Sequence, residues 1–114
     1  MYEVNQTFKG KTGEAFRVVS VDEKQIHLSV FESDFVMGGD IDKFEKLGVV
    51  PIDEKEYKTR VCAMIIFQNE RKNESKYEDY LIFYDQIKDE PQGFIDEMFN
   101  LNGGYRDYER PSAN

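Results

Sequence analysis

Cysteine, histidine and tryptophan are almost missing from this 114-residue chain, which has one Cys, one His and no Trp. A single cysteine excludes an internal disulfide framework, and Cys62 with His27 alone cannot build a structural zinc site, which needs clustered Cys and His ligands. Basic residues are in the minority: 15 Lys+Arg stand against 23 Asp+Glu, a formal net charge of -8, which argues against direct nucleic-acid binding. Long apolar runs are lacking too. Val61 through Phe67 is the longest, far short of the roughly 20 residues of a membrane-spanning helix, so no membrane role is expected. With a lone cysteine and no signal peptide ahead of Met1-Tyr2-Glu3-Val4, the expected location is the cytoplasm. In that setting the triplets Asn5-Gln6-Thr7 and Asn73-Glu74-Ser75 are chance matches to a glycosylation pattern.

Aromatic residues are plentiful. Nine Phe and seven Tyr make up 14% of the chain, too many for a disordered acidic tail, and with Val and Ile they favour strands. One domain is expected over residues 1–104, with a flexible tail over 105–114. Runs of strands broken by two helices predict an α+β fold: a small antiparallel sheet or partly open barrel of about five strands, with one short helix and a C-terminal helix packed on it.

The local signals support that reading. Tyr2, Val4 and Phe8 keep a two-residue period, Gly10-Lys11-Thr12-Gly13 forms a tight turn, and Phe16 to Val21 returns as a second strand. Asp22 to Gln25 is a second turn, after which Ile26, Leu28 and Val30 alternate with polar residues in a third strand. Gly38-Gly39 breaks the chain before Asp40, an N-cap for a short helix carrying Ile41, Phe44 and Leu47 and ending at Gly48. Pro51 and Asp53 to Glu56 read as a connection. Tyr57 to Phe67, apolar on both alternating faces at its end, reads as a central strand. It is paired across a polar loop, Gln68 to Lys76, with a strand from Tyr77 to Tyr84. Asp89-Glu90-Pro91 opens a last helix with Phe94, Ile95, Met98, Phe99 and Leu101 on one face, ended by Asn102-Gly103-Gly104.

Catalytic constellations are sparse. The one histidine, His27, lies on the polar side of its strand, whereas Cys62 lies in the most apolar run, so no Cys–His pair is expected. Asp40, Asp42 and Glu45 lack the third oxygen ligand and the glycine of a calcium loop; Asp40 reads as a cap, and no metal or cofactor is expected. The Gly-Lys-Thr triplet at 10–12 lacks the preceding glycine of a phosphate loop and leads into a strand. Adjacent carboxylate pairs such as Glu78-Asp79 and Asp96-Glu97 diverge instead of converging across a cleft.

Charge is unevenly placed along the chain. From Glu78 to Glu97 seven acids face Lys88 alone, a net -6; from Glu32 to Glu56 eight acids face three lysines, a net -5. The remainder is slightly basic. Tyrosine is interleaved with the second acidic segment, and this combination fits a non-enzymatic protein that docks on a basic protein surface, with a nucleic-acid-binding enzyme as the favoured class of partner. The expected contact residues are Glu78, Asp79, Asp85, Asp89 and Glu90, with Tyr80 or Tyr84, whichever faces out, as the anchor. In general character such a chain resembles the small acidic inhibitors, DNA-mimic and anti-CRISPR proteins among them, that phages and mobile elements direct at nucleic-acid enzymes; no motif or residue carries over. Two other readings stand beside it: a small-molecule binder or small enzyme with a pocket near His27, and an accessory oligomerisation domain pairing through the Tyr77 to Tyr84 edge. Either a monomer or a homodimer is compatible with the sequence.

Overall fold

The computed structural model describes residues 2–33, 36–70 and 79–101. It is an α+β fold with an open, five-stranded antiparallel sheet and four helices. The chain order is β1 (Thr7–Lys9), β2 (Ala15–Val21), β3 (Gln25–Val30), β4 (Val36–Asp40), α1 (Ile41–Glu45), β5 (Val50–Pro51), α2 (Glu54–Glu70), α3 (Tyr80–Ile87) and α4 (Gln92–Leu101). Across the sheet the strands run β4-β3-β2-β1-β5, and the sheet is not closed: among the described residues β4 and β5 are its edges. Glu78, the helix stop at Asn102-Gly103-Gly104 and the tail over 105–114 lie outside the described residues.

The predicted meander forms as β1, β2 and β3. Its first turn is closed by Gly13 N–H donating to Gly10 C=O at 3.1 Å, with Gly13 at φ 93, a conformation that favours glycine. The second is held by Asp22 Oδ1, which accepts the N–H groups of Lys24 and Gln25, both at 2.8 Å. β1 is shorter than its alternation suggests. Asn5 turns the chain at φ 76, so Tyr2 and Val4 precede the strand.

Alternation divides the sheet into two unlike faces. Phe8, Phe16, Val18, Ile26 and Leu28 meet Phe44 of α1, with Tyr2 packed edge-on against both Phe8 and Phe44. Burying a side chain such as Phe44, 3% exposed, stabilises the fold by about 1.5–3 kcal/mol. On the opposite face Ala15 joins a second core with Phe31, Tyr57, Val61, Met64, Phe67 and Tyr80, built around α2 and flanked by α3 and α4.

Here the structure corrects the sequence reading. Tyr57 to Phe67 is no strand; it belongs to the 17-residue helix α2, and Gln68 to Glu70 continue that helix. Its run is apolar on all sides because the sheet, α3 and α4 together surround it. Asp53 Oδ1 accepts Glu56 N–H at 2.8 Å and starts the helix where a connection was expected. From Tyr80 onward the supposed partner strand is α3, so the predicted hairpin and its sheet edge do not exist. Gly38-Gly39 lies inside β4, and Pro51 sits in edge strand β5, where its missing N–H is tolerated. The short helix and the C-terminal helix form as predicted, with Gly48 at φ 73 just beyond α1.

Candidate interaction surface

The helices set the surroundings of the described acidic side chains from Asp79 to Glu97. α3 lies against α2 through residues at helical spacing, Tyr80, Tyr84 and Ile87. Tyr80 is fully buried: its ring meets Phe31 edge-on at 5.0 Å, and its hydroxyl donates to Gly13 C=O and accepts from Arg60 Nη1 at 3.1 Å. Burial pushes the Tyr80 hydroxyl up to about 12 despite the nearby guanidinium. Tyr84 is half-buried beneath Arg60, whose guanidinium carbon stands 4.4 Å from the ring centre. Tyr80 is thus a core residue and not a contact anchor, and Tyr84 is the more exposed of the two.

The acids on and beside these helices lie further out. Asp85, Asp89, Glu90 and Glu97 are exposed, and Asp79 is half-buried just ahead of α3. Two carboxylates of the segment are paired: Asp85 with Lys88 at 3.4 Å, and Asp96 with Lys58 at 3.2 Å. Lys55 Nζ donates to Lys88 C=O at 3.0 Å, which ties the end of α3 to α2. Asp79, Asp89, Glu90 and Glu97 form no ion pair among the described residues.

In the other acidic segment most of the described carboxylates are bonded to groups of the same chain. Arg17 binds Glu32 at 3.0 Å and Glu54 at 2.7 Å while stacking over the Tyr57 ring at 4.6 Å. Burial would lower the Arg17 pKa, but the two carboxylates more than offset it and raise it. Glu56 binds Arg60 at 2.9 Å, Glu45 accepts from the Tyr2 hydroxyl at 3.0 Å, and Asp53 starts α2. Asp40 does occupy the N-cap of α1, in an extended conformation, but its carboxylate makes no capping bond. Asp40 and Asp42 are exposed without an ion pair among the described residues, and the α3–α4 corner carries the longer run of such carboxylates.

That corner also carries apolar groups that the sequence placed inside. Ile95 is the α4 residue at 0% exposure, whereas Phe94 is 46% exposed and Leu101 80% exposed. Phe94, Glu97 and Leu101 follow the i, i+3, i+7 spacing of one helix face, and Glu90 lies in the turn just before it. That spacing is legible in the sequence once α4 is allowed an outer face as well as an inner one.

Elsewhere the chemistry is thin. Ser20 Oγ and His27 Nδ1 are 3.2 Å apart, a contact the sequence reading missed because the bulge at Val19, between Val18 and Ser20, sets which β2 residue meets His27. Ser20 is exposed, and the ring makes no hydrogen bond to a carboxylate among the described residues, so the pair lacks the third member of a triad. Cys62 is buried against α4, its thiol pushed up to about 12 by desolvation. In the Gly10–Gly13 turn, the Glu14 carboxylate already accepts Thr12 N–H and Oγ1–H, at 3.1 and 2.5 Å, the place a phosphate would need. Among the described residues no three His, Cys, Asp or Glu side chains converge as a metal site, and no helix is long and apolar enough to cross a membrane.

No protein-family model matches the chain, and no curated protein does. The arrangement of its own side chains is therefore what a functional reading rests on.

Proposed function

We propose that the chain is a non-enzymatic interaction protein whose α3–α4 corner docks on a basic surface of a partner protein, with nucleic-acid-handling enzymes as the favoured class of partner. The observation that carries this reading is the contrast between the two acidic segments. Most described carboxylates from Glu32 to Glu56 are bonded within the chain, while Asp89, Glu90 and Glu97 are exposed and Asp79 half-buried, none with an ion pair among the described residues. Surface carboxylates without an ion pair attract a cationic partner during encounter and contribute more to rate and specificity than to final affinity. Phe94 and Leu101 supply apolar contact area between the acids, the role first given to tyrosine. An acidic face of this kind can occupy a site built for nucleic-acid phosphates, which is how an inhibitor of such an enzyme would act.

The test is affinity capture at low salt with wild-type protein and with an Asp89→Lys, Glu90→Lys, Glu97→Lys variant. A cationic protein retained by the wild type, released by salt and absent from the variant supports the reading. Equal capture by both proteins defeats it.

The small-molecule alternative finds less support. The apolar groove on the sheet is lined by Ile26, Leu28 and Phe44, which face away from the His27 ring.

A further inference from the structure

Two neighbouring glycines of β4 differ in what they face. A side chain at Gly38 would meet the His27 ring, whose Cδ2 would lie 2.4 Å from the added Cβ, so the ring would have to move. At Gly39 nothing lies within 4 Å of an added Cβ, and its φ is not in the left-handed region. Glycine weakens a strand, and where the chain supplies no reason for it, close approach of another backbone or side chain is the usual one.

β4 is also an open edge. Among the described residues it pairs with β3 alone, and all five of its residues are exposed. Ile41 N–H donates to Lys24 C=O at 2.9 Å, and the register continues Ile26↔Gly39 and Leu28↔Met37. By alternation, the N–H and C=O groups of Val36, Gly38 and Asp40 point outward, away from β3. The strand carries no lysine, no proline and no bulge in its register, and its one charge is Asp40 at its end. Beside it, under Met37 and Gly39, lies a groove of about 150 Å³ lined by Ile26, Leu28, Phe44 and Leu47. Met37 and Leu47 are 36% and 49% exposed at its rim.

We propose that the chain forms a symmetric dimer by antiparallel pairing of β4 with β4 of a second copy, centred on Gly38. In that register Val36, Gly38 and Asp40 meet Asp40, Gly38 and Val36 of the partner subunit, so each outward N–H and C=O finds its complement. Met37 then stands opposite Gly39 of the partner subunit in the closely spaced, non-hydrogen-bonded position, where a missing side chain leaves it room over the partner's apolar groove. The contact is isologous, so both copies satisfy the same requirement. Charge does not oppose it locally. The two Asp40 side chains are four strand positions apart, about 14 Å, beyond the screening length of about 8 Å at physiological salt. The acidic α3–α4 corner belongs to the helical layer on the other face of the sheet.

Sedimentation velocity over about 1 μM to about 1 mM tests this. The wild type is expected to pass from monomer to dimer, and the amide protons of Gly38 and Asp40 to exchange more slowly at the high end than at the low end. Gly39→Val and Met37→Lys should each weaken association at least about tenfold while the dilute monomer still unfolds cooperatively, because nothing lies within 4 Å of a Cβ at Gly39 and Met37 stands at the groove rim, 36% exposed. A wild type that stays monomeric throughout, a dimer that both variants leave intact, or an edge that accepts only an unrelated peptide overturns the proposal. If a variant fails to fold, the concentration dependence of Gly38 and Asp40 exchange in the wild type decides alone.

Discussion

The Tyr57 hydroxyl donates a 2.6 Å hydrogen bond to Glu32 Oε1, the same oxygen that accepts from Arg17 Nε at 3.0 Å. This bond joins α2 to the turn after β3, where Phe31 and Glu32 take φ values of 53 and 63 that bulky residues rarely adopt. Phe31 is held there by Ala15 C=O, which accepts its N–H at 2.8 Å, and by the Tyr80 ring. Glu32 is held by its charge partners. Tyr57→Phe should therefore lower unfolding free energy by about 1–2 kcal/mol in urea denaturation. No change would mean that the turn keeps its shape without the bond.

α4 separates packing from surface within one helix. Ile95→Ala removes a side chain at 0% exposure and should destabilise the domain by about 2–5 kcal/mol. Phe94→Ala, at 46% exposure, should cost less than about 1 kcal/mol. Equal losses at both positions would place Phe94 in the core and remove it from the contact face.

Cys62 provides a chemical probe of the same packing. Desolvation raises its thiol to about 12, so at neutral pH the reactive thiolate is scarce in the folded state. A pKa raised by folding contributes stability below the unfolded value, and that contribution is lost as pH rises through about 12. Labelling by a thiol reagent at pH about 8 should follow unfolding instead of running at the rate of a free thiol. Rapid labelling of the native protein would contradict the close fit of α4 over α2.

Two carboxylates contribute on the acid side. Backbone N–H groups of Lys24 and Gln25 hold Asp22 below the usual aspartate range, and Gln92 and Lys58 do the same for Asp96. A depressed pKa contributes stability above the unfolded value, and that is lost as pH falls through the folded one, so the loss belongs below about pH 4. Asp22→Asn and Asp96→Asn should each flatten the decline in melting temperature over that range. A decline as steep as the wild type's would show that these bonds do not couple to folding.

How much of this was readable in advance depends on what surrounds each segment. The turns at Gly10–Gly13 and Asp22–Gln25, the strand at Ile26 to Val30 and the helix before Gly48 follow local rules, and they stand where those rules put them. α2 does not announce itself, because Val61 to Phe67 is covered by different neighbours on every side and so loses the one-sided pattern of a surface helix. The signals that resolve it lie upstream, in Asp53 with Glu56 three residues on, and in Glu56 with Arg60 four further. For α3 the spacing of Tyr80, Tyr84 and Ile87 carries the period. The acidic corner was readable as charge, but its anchors were not: whether Tyr80 or Phe94 faces water depends on where α2 lies.

The most direct test of the central claim is the affinity of a captured cationic partner for the wild type and for the Asp89→Lys, Glu90→Lys, Glu97→Lys variant, titrated at about 0.05 M and about 0.5 M salt. Docking through the α3–α4 corner predicts that wild-type binding weakens at least about tenfold at the higher salt and that the variant binds weakly at both, with its melting temperature unchanged. Salt-independent affinity, or a variant that binds like the wild type, would contradict it.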